Sequence, residues 1–128
     1  MSKELISHTL ENMNDLFKKV VRMTITLNKS EVKRHGWASK TIYRDKLVYG
    51  YEYVFDTVTI EKGELIAKGR EIILFDIEDG YTLTNVSFYT LSEDKEYECV
   101  YSKLLELYYP SGGTFTFEGS VTLSVSHV

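Results

Sequence analysis

The sequence predicts an α+β fold that is mostly β, with one N-terminal amphipathic helix packed on a curved antiparallel sheet or open barrel of about six to eight strands. Apolar residues recur at helical spacing only near the N-terminus and alternate at strand spacing from about residue 20 onward. The strands are separated by short turns without intervening helices, which is typical of antiparallel sheets and barrels. Ten Tyr and six Phe, against one Pro, also favour strands. A chain of 128 residues is expected to form a single domain, residues 1–128.

The helix is predicted over about residues 3–19. Apolar residues at spacings of three and four form one stripe along it, which a helix buries against a neighbouring layer. The members of this stripe are Ile6, Leu10, Met13, Phe17 and Val20.

The first strands follow directly. Val21, Met23, Ile25 and Leu27 alternate with polar residues, which is the pattern of a half-buried strand. Residues 29–46 lack such alternation, and this segment is predicted to be a loop or an irregular edge. Alternation returns on one face in the residues Leu47, Tyr49, Tyr51, Tyr53 and Phe55.

Turn residues divide the rest of the chain into strands. The pairs and clusters at 61–64, 79–80, 92–95 and 110–113 each suit a hairpin turn. The apolar alternation changes phase near Asn85, which predicts a β-bulge there.

The last third of the chain leaves one assignment open. Residues 97–109 begin as a strand, but the periodicity of 102–109 fits either a strand or a helical turn. Residues 113–125 alternate regularly and predict one long strand, in which Gly119 marks a bend or a bulge.

Charge is distributed unevenly along the chain. The net charge is −4, but residues 1–46 carry +5 and residues 47–128 carry −9. Residues 29–46 hold six basic and two acidic groups together with the only Trp. Many acidic residues lie near three successive turns, and they would form one anionic patch if those turns share an end of the fold.

The basic segment is the best candidate binding surface. Its cations can pair with phosphates or with an acidic protein surface, and its aromatic rings can stack on bases. The candidate residues are Lys33, Arg34, His35, Trp37, Lys40, Tyr43, Arg44 and Lys46. The competing interpretation is a solvated loop in which Trp37 anchors the backbone to the core.

A ligand pocket between the helix and the curved sheet is the alternative site. Its lining would come from aromatic residues on neighbouring strands, with phenol groups to orient a small ligand. The candidates are Tyr49, Tyr51, Tyr53, Phe75 and Phe88. Tyr is also a common strand residue whose ring packs while its hydroxyl reaches water, so these residues also fit ordinary packing.

Neither catalytic nor metal-binding motifs occur. The three His are far apart in sequence, and no Cys-x-x-Cys, Gly-x-Ser-x-Gly or phosphate-binding glycine loop is present. We therefore predict no catalytic residues, no metal and no cofactor. Cys99 is expected to be a small buried apolar residue.

The sequence favours a cytoplasmic protein, since it lacks a long apolar segment or an apparent signal sequence and has a single Cys. The leading functional hypothesis is a non-enzymatic module that binds another protein, as an inhibitor or adaptor. Eleven Lys against four Arg agree with a low-GC bacterial or phage origin. Small-molecule binding and nucleic-acid binding through residues 29–46 are the alternatives, and a homodimer could form through the C-terminal strand.

Overall fold

The structure is a computed structural model that describes residues 2–124, with the side chains of 2–9, 30–35, 40–44 and 117 outside the description. The prediction of a mostly β, α+β fold is confirmed. The elements are α1 (Ser2–Lys18), β1 (Val20–His35), β2 (Ala38–Glu52), β3 (Phe55–Glu61), β4 (Glu64–Gly69), β5 (Glu71–Ile77), β6 (Tyr81–Leu91), β7 (Tyr97–Tyr109), β8 (Gly113–Glu118) and β9 (Val121–Ser124).

The strands form three antiparallel sheets that do not close into a barrel. The largest sheet has the order β2-β1-β6-β7, and the others have the orders β3-β4-β9 and β5-β8. Only Arg70 separates β4 from β5, and only residues 119–120 separate β8 from β9. The two smaller sheets therefore lie end to end as one ribbon. Its strand pairing is interrupted where Arg70 and residues 119–120 lie opposite each other.

Helix α1 packs on β3 and β4 through the apolar stripe that the sequence predicts. Leu10 and Phe17 are buried, and Met13 is partly buried against the same core. The Phe17 ring meets Phe55 at 5.5 Å between centroids, in an edge-to-face geometry that aromatic pairs prefer. Ile6 lies outside the described side chains.

The core lies between the four-stranded sheet and the interrupted ribbon. Alternate residues of β1, β4 and β5 point into it, as the strand period of two requires. The buried apolar residues of the large sheet include Met23, Ile25, Leu27, Leu83, Val86 and Phe88. Those of the ribbon include Leu65, Ala67, Ile72, Leu74, Ile77 and Val121.

Several turn and bulge predictions are confirmed. Lys62 and Gly63 both have positive φ, 50° and 77°, which is the two-residue turn that matches the twist of a hairpin. Gly80 has φ 85° at the turn before β6. Both neighbours of β6 skip Thr84 in their register, so the bulge beside Asn85 is present.

The structure refines three expectations about the strands. Within residues 2–124 there are nine strands, slightly more than the expected number of about six to eight. One reason is that the long C-terminal strand is split at Gly119, where the chain passes from pairing with β5 to pairing with β4. The open choice at 102–109 is settled as strand, because β7 pairs with β6 as far as Tyr109.

The side chain of Tyr53 fills the interruption of the ribbon. It is 1% exposed, and its hydroxyl donates a hydrogen bond to the carbonyl oxygen of Arg70 at 3.1 Å. A Cβ atom on Gly69 or on Gly119 would collide with this phenol group. The two glycines therefore let the ribbon come close enough to enclose the phenol.

The prediction of a loop or irregular edge at residues 29–46 is wrong. This segment belongs to a β-hairpin made of the end of β1 and the start of β2, with residues 36 and 37 at its turn and one bulge between Lys29 and Ser30. It has no apolar alternation because it extends past the sheet that would cover one face. No helix within residues 2–124 is both long enough and apolar enough to cross a membrane.

Candidate functional site

The end of the β1–β2 hairpin projects beyond the rest of the large sheet. β1 pairs with β6 only as far as Lys29, which lies opposite Tyr81. From Ser30 to His35, the described strand β1 pairs with β2 alone. Six residues of strand extend about 20 Å. We call residues 29–46 the basic arm, and its net charge is +4.

The tip of the basic arm presents the only Trp. Gly36 has φ 62°, a conformation that glycine adopts without strain, and Trp37 follows it with a relative exposure of 101%. The interpretation that Trp37 anchors a loop to the core is therefore wrong. A fully exposed indole is unusual, because Trp buries more apolar surface than most other side chains.

The backbone register arranges the remaining arm residues. Lys33 lies opposite Lys40 and Arg34 lies opposite Ser39 in the hairpin ladder. Lys46, at the base of β2, is exposed. The side chains of the other candidates, Lys33, Arg34, His35, Lys40, Tyr43 and Arg44, lie outside the described residues.

Contacts at the base of the arm join it to the turn between β5 and β6. The Lys29 ammonium group lies 4.0 Å from the Glu78 carboxylate and 5.7 Å from the centre of the Tyr81 ring. The Glu78 side chain is largely exposed and the Lys29 side chain is partly exposed, and ion pairs at such positions contribute little to stability. The base therefore orients the arm without neutralising most of its charge.

The residues of the alternative pocket occupy different environments. Tyr53 and Phe88 are fully buried, with ring centroids 5.9 Å apart, and both rings contact Phe55. Tyr49 and Tyr51 are half-buried on β2. Phe75 is 66% exposed, where β5 bulges. The structure thus brings Tyr53 and Phe88 together as packed core residues and leaves Phe75 in solvent.

The phenol groups nearest the core keep their protons at neutral pH. Burial, and then the nearby Asp56 carboxylate, raise the pKa of Tyr53 to about 12 against a smaller lowering by Arg70. Burial, and then the neighbouring Tyr49, raise the pKa of Tyr51 above its usual value of 10.0. Both phenol groups are therefore protonated at neutral pH and are not phenolate bases.

A groove that sequence reasoning missed lies at the other end of the large sheet. It has a volume of about 540 Å³, and exposed apolar side chains line much of its wall. These are Val21, Val54, Leu91 and Tyr97, each between 38% and 60% exposed. Val54 lies between β2 and β3, and Val21 is exposed where the register of β1 shifts between Val20 and Arg22, so neither position stands out in the sequence pattern.

Charged groups surround the same groove. Glu52, Asp56 and Arg70 contribute to its lining. The guanidinium group of Arg70 donates a hydrogen bond to the backbone oxygen of Glu52 at 2.6 Å and lies 5.8 Å from the centre of the Tyr53 ring. These contacts fix the Arg70 side chain along one wall, so the apolar residues form the remaining surface.

The acidic turns do not share one end of the molecule. The turn at residues 78–80 precedes β6 beside the basic arm, and the turn at residues 92–96 follows β6 beside the groove. The eleven residues of β6 separate them by roughly 35 Å. The single anionic patch that a common end would create is therefore absent.

The prediction that Cys99 is buried is wrong. Its side chain is exposed on β7, with Sγ 3.4 Å from the Ser102 hydroxyl. In the part of the chain that the structure describes, no group of three or more His, Cys, Asp or Glu side chains is placed to hold a metal ion.

Comparisons of this chain with known protein families, with curated proteins and with solved structures find no match. The basic arm and the groove are therefore interpreted from their geometry and chemistry alone.

Proposed function

We propose that this protein is a non-enzymatic binding module that docks onto another protein through the basic arm, as an inhibitor or adaptor. The observation that carries the proposal is the fully exposed Trp37 at the tip of a projecting hairpin of charge +4. Trp and Arg are the residues that most often dominate binding energy at protein interfaces. A basic arm that presents one large apolar side chain suits an apolar recess with an acidic rim.

A protein partner is favoured over nucleic acid by the charge of the rest of the chain. Residues 47–128 carry −9, and they would repel a phosphate backbone wherever it passes beyond the arm. A partner protein can confine its negative charge to the recess that receives the tip. The arm's reach of about 20 Å also holds the acidic body away from that contact.

One geometric feature supports nucleic acid as a second candidate. A two-stranded β-ribbon fits the major groove of duplex DNA, and the arm from Ser30 to Asp45 is such a ribbon. In that arrangement the cations of the arm would contact phosphates, and Trp37 would stack on a base.

The experiment is affinity capture from a low-GC bacterial extract, with and without nuclease, using immobilised wild type and Trp37→Ala. We expect a specific protein that wild type retains after nuclease treatment and that Trp37→Ala loses. Leu104→Ala is the matched control, because Leu104 is 83% exposed on β7, away from the arm. Capture that survives Trp37→Ala contradicts the role of the arm, and capture that nuclease abolishes favours the nucleic-acid alternative.

A further inference from the structure

The groove at the far end of the large sheet has the chemistry that the basic arm requires. We propose that the groove receives the basic arm of a second copy of this chain, so that copies associate head to tail with Trp37 in the groove. This inference rests on the proposed role of Trp37 as a binding anchor, and it adds the receiving surface and the first partner.

The apolar wall of the groove provides a binding surface for an indole ring. Four apolar side chains line the groove while partly exposed, namely Val21, Val54, Leu91 and Tyr97. A cluster of this kind marks an interaction site on a soluble protein, whereas single exposed apolar residues do not. A volume of about 540 Å³ is in the range of binding pockets and admits a Trp side chain with part of its hairpin backbone.

The charge around the groove is opposite to that of the arm. Two carboxylates belong to its lining, and the turn that joins its wall residues Leu91 and Tyr97 is strongly acidic. The acidic residues are Glu52, Asp56, Glu93, Asp94, Glu96 and Glu98. Arg22, Arg70 and Lys95 oppose them, so these nine residues together carry a net charge of −3. Opposite patches of +4 and −3 steer association and fix its orientation.

The arm cannot occupy the groove of its own molecule. Val21 lies at the start of β1 and His35 at its end, and fourteen steps along a strand cover about 45 Å. The ladder between β1 and β2, which has one bulge between Lys29 and Ser30, holds the arm extended away from the groove. The two complementary surfaces can therefore meet only between molecules.

This contact is heterologous, because one copy contributes its arm and the other contributes its groove. Such contacts form closed rings or open chains, and they leave one arm and one groove free in a dimer. Because the same Trp37 serves both contacts, self-association and the binding of another protein by that arm are mutually exclusive. The self-associated form is then a reservoir in which the arm is covered.

The experiment is sedimentation velocity of the full chain over a wide concentration range, at low and high ionic strength. Wild type is expected to associate at high concentration, and added salt is expected to weaken this association. Trp37→Ala and Val54→Lys should each remain monomeric, because the first removes the anchor and the second blocks the groove with a cation. Leu104→Lys introduces the same charge at an exposed apolar site outside the groove and should associate like wild type.

Mixing the two variants gives the decisive measurement. Trp37→Ala keeps an intact groove and Val54→Lys keeps an intact arm, so an equal mixture should form a one-to-one dimer that grows no further. The fluorescence of Trp37 in the Val54→Lys partner should shift to shorter wavelength in this mixture, because the groove buries the indole ring. The signal comes from this residue alone, since it is the only Trp in the pair.

Other outcomes overturn the inference in distinguishable ways. A wild type that stays monomeric at every concentration, or a mixture that does not dimerise while wild type does, excludes the arm-to-groove contact. The proposed function stands in either case if Trp37→Ala still loses the captured partner protein. If Trp37→Ala still associates with itself and still captures the partner protein, both proposals are contradicted.

Discussion

The replacement Gly119→Ala tests the junction at which Tyr53 fills the interruption of the ribbon. A Cβ atom at position 119 would lie 2.7 Å from Cζ of Tyr53, whereas ordinary contact begins at 3.4 Å. The ring must retreat or the ribbon must open, and overpacking of this kind costs about 1–3 kcal/mol. Displacement also breaks the hydrogen bond from the buried hydroxyl to Arg70, which adds about 1–2 kcal/mol. We therefore expect the free energy of unfolding to fall by roughly 2–5 kcal/mol.

The change is large enough to measure easily, because domains are usually stable by only about 5–15 kcal/mol. Urea unfolding followed by circular dichroism gives the free energy. The matched control is Gly50→Ala on β2, where the new Cβ would lie 2.8 Å from Cζ of Arg22. That group is the end of a long side chain that can swing away, so the control should change stability by less than about 0.5 kcal/mol.

A double-mutant cycle tests whether Tyr53 is the obstacle. Tyr53→Phe removes the hydroxyl, which is the atom closest to the new Cβ. Gly119→Ala should then cost at least about 1 kcal/mol less in the Tyr53→Phe background than in wild type, since interacting positions are not additive. Equal costs in the two backgrounds, or a cost at Gly119 no larger than at Gly50, would refute the reasoning.

Three further predictions concern single residues. Because the pKa of Tyr53 is about 12 in the folded chain and 10.0 in the unfolded one, the unfolded state loses its proton first. The free energy of unfolding should therefore fall between about pH 10 and pH 12, by about 1.4 kcal/mol per pH unit. Tyr53→Phe should lack this fall in alkaline unfolding titrations. Curves of unfolding free energy against pH that run parallel for wild type and Tyr53→Phe would contradict the prediction. Lys62→Asn should raise the free energy of unfolding by a few tenths to about 1 kcal/mol in thermal unfolding, because Asn tolerates positive φ better than Lys does. A melting temperature below that of wild type would count against the turn geometry. Cys99 should react with a thiol reagent in the native protein nearly as fast as in the unfolded one, and reaction only after denaturation would place it in the core.

Much of the scaffold follows from local patterns that report burial. The stripe ending at Phe17 and the alternating row from Met23 to Leu27 predict α1 and β1 because each has one face to cover. The turn at Lys62 and Gly63 is likewise encoded locally, since positive φ favours few residue types. These elements need no knowledge of the strand order.

The arm could not be predicted in the same way. A hairpin that extends past its sheet has no core-facing side, so residues 30–45 carry no alternating apolar pattern and resemble a loop. The division of the last strand has a similar cause. Gly119 identifies a bend in the sequence, but only the distant Tyr53 shows why the ribbon is interrupted there.

The candidate groove depends on residues that are far apart in the chain. Val21, Val54, Leu91 and Tyr97 each fit an ordinary strand or its end, and the pattern around each gives no sign of the others. An apolar residue at the start of a strand or between two strands is a weak indication taken singly, because exposed apolar residues are common. These residues come together only through the pairing order β2-β1-β6-β7, which brings the start of β1 and the ends of β2 and β6 to the same end of the sheet.

The charge asymmetry of the sequence corresponds to two surfaces, the acidic groove and the basic arm, that lie at opposite ends of β1. The groove lies at the start of this strand and the basic arm at its end, about 45 Å apart, whereas the Debye length at physiological salt is about 8 Å. Within one molecule the acidic groove therefore cannot neutralise the arm, whereas the Glu78 carboxylate forms an ion pair with Lys29 at the arm's base. Salt should consequently have little effect on the folded monomer through this pair of patches. A salt dependence of association would instead measure contacts between molecules, which is why ionic strength separates the two kinds of charge pairing in this protein.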